Sequence, residues 1–211
     1  MRIGIILAGV LLSMGGARSV WAAATQEFEN RKVAVTEETL APGESEKLTG
    51  AHPSVVVYFA GERAELKYGN GSLQPETIRR GETLNERARP ATLVNTGTHR
   101  LRLVRVEFLT AGSDETWGMQ GLPPNYKLLF EDRFSRTYEI RIPAQSREPR
   151  HTHHDRVVIC LSAAKLEHIL PDGRTQPSTL KTDEVVWRLG QTHVGHNMGD
   201  TNLWVIAVEP K

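Results

Sequence analysis

The sequence predicts an all-β protein built as two tandem β-barrels from an internal duplication. Three observations carry this reading. Short runs rich in β-branched residues recur along the chain, and turn signals punctuate them. No segment shows a helical stripe of core length. Two stretches of the 211-residue chain match each other at a fixed spacing, the mark of a repeated unit.

The chain opens on MRIGIILAGVLLSMGGARSVWAAA. Arg2 gives a positive start, residues 3–12 form an apolar run too short to span a bilayer, and Ala22-Ala23-Ala24 supplies small residues for a peptidase. Residues 1–24 are therefore expected to be a signal peptide, with the mature chain starting at Thr25 and exported to a periplasmic or secreted location. Removing Arg2 and Arg18 leaves 24 basic against 25 acidic residues, a balance of −1, where the whole chain carries +1. Neither balance suits an electrostatic nucleic-acid binder. The rest of the chain holds no stretch apolar enough for a membrane span. The only cysteine, Cys160, lies in Val157-Val158-Ile159-Cys160-Leu161 and reads as a buried small hydrophobe. Without disulfides, an exported protein must build a substantial core.

The strand-like runs are residues 55–60, 101–108, 138–142, 157–161 and 203–208. Tyr138, Ile140 and Ile142 alternate with Glu139 and Arg141, the period of a strand with one buried face. Pro42-Gly43, Asn70-Gly71, Asn95-Thr96-Gly97, Asp172-Gly173 and Asn197-Met198-Gly199 mark turns. Gly71, Gln74, Pro75, Thr77 and Glu82 recur as Gly173, Gln176, Pro177, Thr179 and Glu184 at an offset of 102. The same offset carries Asn95, Gly97, Leu101 and Glu107 onto Asn197, Gly199, Leu203 and Glu209. Pro42 and Ser45 match Pro143 and Ser146 at 101, as a one-residue loop deletion would produce. The expected units are residues 25–110 and 126–211, joined by a Gly/Pro-rich linker at 111–125, with 126–134 starting the second unit as an outer strand.

Most of the eight histidines fall in the last third. His151 and His153, two apart on a strand, point the same way, and His193 can reach the same interior point from another strand. Three imidazoles around one point form a metal site with open positions. His196 is a rival to His193. Asn197 is a candidate to orient His193 or a bound water. His154 and His168 read as solvated. Trp187 and Trp204 read as core or pocket wall. Arg79-Arg80 and Arg100, Arg102 and Arg105 read as solvated strand faces.

On these residues the second unit resembles the cupin superfamily, whose two motifs are G-x5-H-x-H-x3,4-E-x6-G and G-x5-P-x-G-x2-H-x3-N. His151-x-His153 matches the heart of the first, and Gly190-x2-His193-x3-Asn197 the end of the second. The duplication then looks like a bicupin with jelly-roll-type barrels. Valine stands at 157 and 158, where the first motif has glutamate, Ala164 at its closing glycine, and Arg188 at the proline of the second. In the first unit only His52 matches, to His153, while Gly50 and Ala91 stand for His151 and His193, so that barrel is expected to lack metal ligands. The resemblance implies one divalent transition metal (copper, zinc, nickel or iron) held by His151, His153 and His193 in the C-terminal barrel. Without a carboxylate the site would favour copper, zinc or nickel over manganese; Asp155 is the nearest acidic candidate to swing in. It implies a metal-dependent oxygenase or isomerase acting on a small organic molecule, and it admits a homodimer. The alternative is a non-catalytic cupin that binds a small ligand such as a sugar, or a partner protein.

Overall fold

The computed structural model describes residues 23–211. The expected signal peptide falls almost wholly outside the described residues; only Ala23 and Ala24 of it lie within them, at the start of the first strand. The described residues contain 18 strands: β1 (Ala23–Glu29), β2 (Val33–Leu40), β3 (Ser45–Leu48), β4 (Ser54–Ala60), β5 (Arg63–Tyr68), β6 (Leu73–Thr77), β7 (Thr83–Glu86), β8 (Ala91–Asn95), β9 (Leu101–Phe108), β10 (Tyr126–Glu131), β11 (Ser135–Ile142), β12 (His151–His153), β13 (Arg156–Ser162), β14 (Ala164–Ile169), β15 (Thr175–Leu180), β16 (Val185–Arg188), β17 (Gln191–Asn197) and β18 (Leu203–Pro210). Each expected run is a strand, and 126–134 begins with β10, the outer strand of its sheet. Among the described residues no helix is long and apolar enough to cross a membrane.

All strand pairs are antiparallel, and the sheet order is written twice. The sheet β1-β2-β9-β4-β7 faces β3-β8-β5-β6, and β10-β11-β18-β13-β16 faces β12-β17-β14-β15, each label shifted by nine. Register irregularities repeat as well. The bulge between Tyr58 and Ala60 returns between Cys160 and Ser162, and that between Gln26 and Phe28 returns between Leu128 and Phe130. The result is a jelly-roll β fold.

Strand β4 explains why its sequence is an unbroken apolar run. Val56 and Tyr58 face the interior of the first unit, with Leu40, Leu66, Leu93 and Leu103. Val55, Val57 and Phe59 face the other way, onto Val157, Ile159, Leu161, Ile206 and Val208 of the second unit. The two five-stranded sheets thus share one core, and their central strands are buried on both faces. The second unit has its own interior around Tyr138, Ile140, Val158 and Val205, which includes Cys160. Burial pushes the Cys160 thiol up to about 11, so it is an inert core residue.

Three of the arginines read as solvated are not. Arg80 donates to Leu161 O at 2.7 Å and to Asp183, and Arg102 donates to Asp183 at 2.9 Å and to Glu37 at 2.7 Å. Asp183 of the second unit is held by two guanidinium groups of the first, which is why a non-glycine residue keeps φ +64° there. Arg105 is buried among Glu38, Glu86 and Ser54. Solvated faces fail as an assignment because β9, which carries Arg102 and Arg105, lies in a sheet that faces other protein on both sides, and the turn that carries Arg80 packs on the second unit. Trp187 and Trp204 pack against the shared core, as core or wall residues should.

Strand register corrects the alignment of the two units. Ser45 pairs with Val94, and Arg147 bridges His196, both 102 apart. Gly43 and Gln145 take the same positive-φ turn position, at +79° and +57°. The expected slip to 101 at this turn is therefore absent. Leu48 faces Ala91 as His151 faces His193, so the second unit carries one extra residue between Arg147 and His151. This bulge contains Pro149, which has no N–H to give a ladder. The first-unit counterparts are then Leu48 for His151, Gly50 for His153 and Ala91 for His193. His52 matches none of them and is exposed.

Candidate metal centre

The site lies inside the second unit. On β12 the burial alternates, with His151 and His153 inward and Thr152 outward. On β17 it places His193, Gly195 and Asn197 inward and turns His196 to the other face. His151 sits directly opposite His193 in the ladder. One ligand atom from each of His151, His153 and His193 lies within 4.8 Å of the others, and all three residues are buried. Among the described residues this is the one such group of His, Cys, Asp and Glu.

The hydrogen bonds set the tautomers. His151 Nδ1 donates to Pro149 O at 2.8 Å. Tyr138 Oη donates to Glu209 Oε1 at 2.8 Å and so accepts from His153 Nδ1, also at 2.8 Å. Both Nε2 atoms therefore carry lone pairs, and they face each other 2.9 Å apart. Tyr126 Oη gives its proton to Glu148 Oε2 at 3.1 Å, leaving none for His151 Nε2 at 3.2 Å. His193 Nδ1 is buried without a partner. Converging lone pairs beside an orphaned ring nitrogen repel one another unless a cation lies between them, so the donor set fits a metal ion.

The electrostatics agree. Burial lowers the His151 pKa, and lowers His153 to about 3. Burial, with His168, His151 and His153 close by, lowers His193 to about 2. All three rings are neutral at physiological pH, as ligands must be. Burial pulls the Glu209 carboxyl upward, but His153, Arg136 and Tyr138 outweigh it and hold it at about 2. Glu209 thus stays ionised and anchors the Tyr138–His153 chain from behind.

His168 and Glu148, neither assigned to the site from sequence, line it. His168 stacks on His193, with ring centroids 4.5 Å apart, and burial lowers its pKa to about 4. His154 is exposed, as expected, with Trp117 of the 111–125 segment stacked on its ring at 3.9 Å. Glu148 is 5 % exposed, and its Oε2 lies 3.9 Å from His151 Nε2. Burial pushes this carboxyl up to about 7 against hydrogen bonds from Asn125 and Tyr126. The available signal for Glu148 was Glu46, its partner at offset 102, hidden by the assumed slip to 101. Asp155 does not turn inward; its Oδ1 accepts from Gly190 N at 2.7 Å.

Asn197 does not orient His193. Its Nδ2 donates to Ile142 O, Pro143 O and Thr201 O at 3.1, 3.2 and 2.8 Å, and its Oδ1 accepts from Gly199 N at 3.1 Å. Asn95 does the same in the first unit, to Leu40 O, His99 O and Gly97 N. The asparagine is a turn latch kept in both units. Replacing it with alanine strands several backbone groups at about 1–3 kcal/mol each. Asn197→Ala should therefore lower the urea midpoint while leaving the metal affinity of the folded protein unchanged. A drop in affinity with an unchanged midpoint would restore the orienting role.

The same place in the first unit cannot be a copy. Gly50 has φ +66°, and a Cβ there would come within 2.0 Å of the Arg89 carbonyl carbon. No histidine fits where His153 stands in the second unit. Instead, the Arg105 guanidinium and the carboxylates of Glu38 and Glu86 occupy the interior.

Comparison with known proteins agrees on the fold. No protein-family model and no curated protein matches the sequence. Among solved structures, AerE from Microcystis aeruginosa superposes with TM-score 0.65 at 13% identity, over 90% of this chain and 97% of its own. A cupin 2 conserved barrel domain protein from Leptotrichia buccalis gives 0.61 at 12% identity, over 93% and 92%. Oxalate decarboxylase of Bacillus subtilis, which has Mn(II) centres, gives 0.57 at 11% identity, over 89% and 72%. These are cupin-fold proteins, and the chain has the cupin fold with a buried three-histidine cluster that can hold a metal.

Proposed function

We propose that the chain is an exported, metal-binding bicupin whose C-terminal barrel acts on a small organic molecule as an oxygenase or isomerase. The facing Nε2 lone pairs of His151 and His153, 2.9 Å apart beside His193, carry the metal reading. The repeated strand order supports two barrels at 25–110 and 126–211. The apolar run and the alanines before Thr25 support export. When bound, a divalent transition metal supplies a Lewis-acid centre with open positions for water or substrate.

The chain's own residues narrow the substrate. The cavity beside the histidines has a volume of about 50 Å³. That is far below the roughly 300 Å³ at which drug-sized pockets begin, so it suits a molecule of few heavy atoms rather than a sugar. Arg156 and Arg188 line it, and Arg156 is 6 % exposed with an unpartnered Nε. A buried guanidinium without a carboxylate partner favours an anionic ligand.

The test is metal content by mass spectrometry, on protein purified from its native compartment, against His151→Ala with His153→Ala. About one metal per chain is expected in the wild type and almost none in the double variant. Equal, substoichiometric metal in both would remove the metal reading and leave a non-catalytic, ligand-binding cupin. N-terminal sequencing of the same sample checks for a start at Thr25.

A further inference from the structure

We infer that Glu148 is a fourth protein ligand to the metal, replacing from the opposite side of the histidine pair the carboxylate that the sequence lacks at 157 and 158. The inference rests on the three-histidine reading above and adds a donor to it.

The geometry comes from three features of the second unit. The extra residue between Arg147 and His151 bulges the chain beside Pro149, directly before the first histidine. The Glu148 backbone stays tied to β17 through its N–H, which donates to Gly195 O at 2.8 Å. Opposite it, Gly195 has no side chain, and a Cβ built there would lie 2.5 Å from Glu148 Oε2. The carboxylate therefore occupies the space that any other residue at 195 would fill. That space adjoins His193, two residues away on the same face of β17. Oε1 is held by Asn125 at 3.3 Å and Oε2 by Tyr126 at 3.1 Å, with His151 Nε2 at 3.9 Å.

The first unit supplies the contrast. Glu46 holds the equivalent position, but Leu93 stands where Gly195 is and is fully buried. With that space filled, Glu46 associates with Glu38 and has no histidine to join. A glutamate is present in both units, and only the one opposite glycine reaches a histidine cluster. With Glu148 included, the donors are three imidazoles and a carboxylate oxygen. That set takes iron or manganese as well as copper, zinc or nickel.

The experiment is titration of the metal-free full chain with Co(II) alone, followed by visible absorption and by competition with a chelator. Glu148→Gln keeps the shape and should weaken Co(II) binding by roughly 10- to 100-fold, with a changed ligand-field spectrum. Gly195→Ala keeps every donor residue but displaces the Glu148 carboxylate, so it should shift affinity and spectrum in the same direction. Glu46→Gln should do neither. Thermal midpoints of the metal-free variants show that each is folded. Wild-type affinity and spectrum in Glu148→Gln would overturn the assignment while leaving the three-histidine site standing. A wild type that takes up no Co(II) would overturn both.

Discussion

Glu209→Gln should be about 3–5 kcal/mol less stable than the wild type at neutral pH. Glu209 is fully buried and ion-paired with Arg136, which is 3 % exposed. Its other oxygen accepts from Tyr138 Oη at 2.8 Å and from His154 N at 3.1 Å. The amide keeps the shape and removes the charge, so Arg136 is left buried with no counter-ion. Adding Arg136→Met should recover most of the loss, because the neutral pair leaves no isolated charge. The pH dependence has a definite sign. The Glu209 carboxyl is held at about 2, below its ordinary 4.5. Its contribution is complete above 4.5 and disappears as pH falls through 2, so the gap between wild type and variant should close in acid. Urea midpoints at several pH values measure this. A loss under about 1 kcal/mol, the range of an exposed pair, would mean that water screens the pair.

In the first unit the gap should also close as pH falls, but in a higher window. Arg105 is 6 % exposed and is the cation among Glu38, Glu86 and Ser54, with Glu46 beside them. Arg105→Met leaves the carboxylates without a partner, and about 3–5 kcal/mol of stability should be lost at pH 8. Even with Arg105 present, burial and Glu38 push the Glu46 carboxyl up to about 7 from 4.5. An acid whose folded pKa is raised costs stability above that value, and the cost vanishes as pH falls to its unfolded value. Arg105 lowers the Glu46 carboxyl, so its loss pushes that carboxyl further the same way. The deficit of the variant should therefore shrink between pH 8 and pH 5, as the folded state takes up protons. Thermal midpoints across that range are the measurement, and an equal deficit at both ends would contradict the network.

Much of this was legible in the sequence. Period and turn chemistry located the strands because sheets buried on two faces need apolar runs such as Val55-Val56-Val57. The His-x-His spacing located the histidine cluster because strand geometry permits one outcome for residues two apart. Register was not legible. A single extra residue near Pro149 changes which side chains face each other, and composition carries no trace of it. That bulge concealed Glu148 and attached His52 to the wrong partner. Asn197 misled for another reason: the residue type suits an outer-sphere role and a turn latch equally, and only the carbonyls around it decide. Arg80 and Arg102, paired with Asp183 of the second unit, and Arg105, paired with Glu38 and Glu86 inside the first, misled because ion pairs between elements are invisible when each strand is read alone.

The shared core bears on what a fragment of this chain would be. Val55, Val57, Val104 and Val106 of one sheet are covered by Val157, Ile159, Ile206 and Val208 of the other. A gene encoding only residues 126–211 would make the histidine cluster complete yet leave that wall bare to water. Such a half-protein has one good way to hide the surface, which is to meet a second copy of itself back to back. The first unit is thus a cover for that wall carried within the same chain.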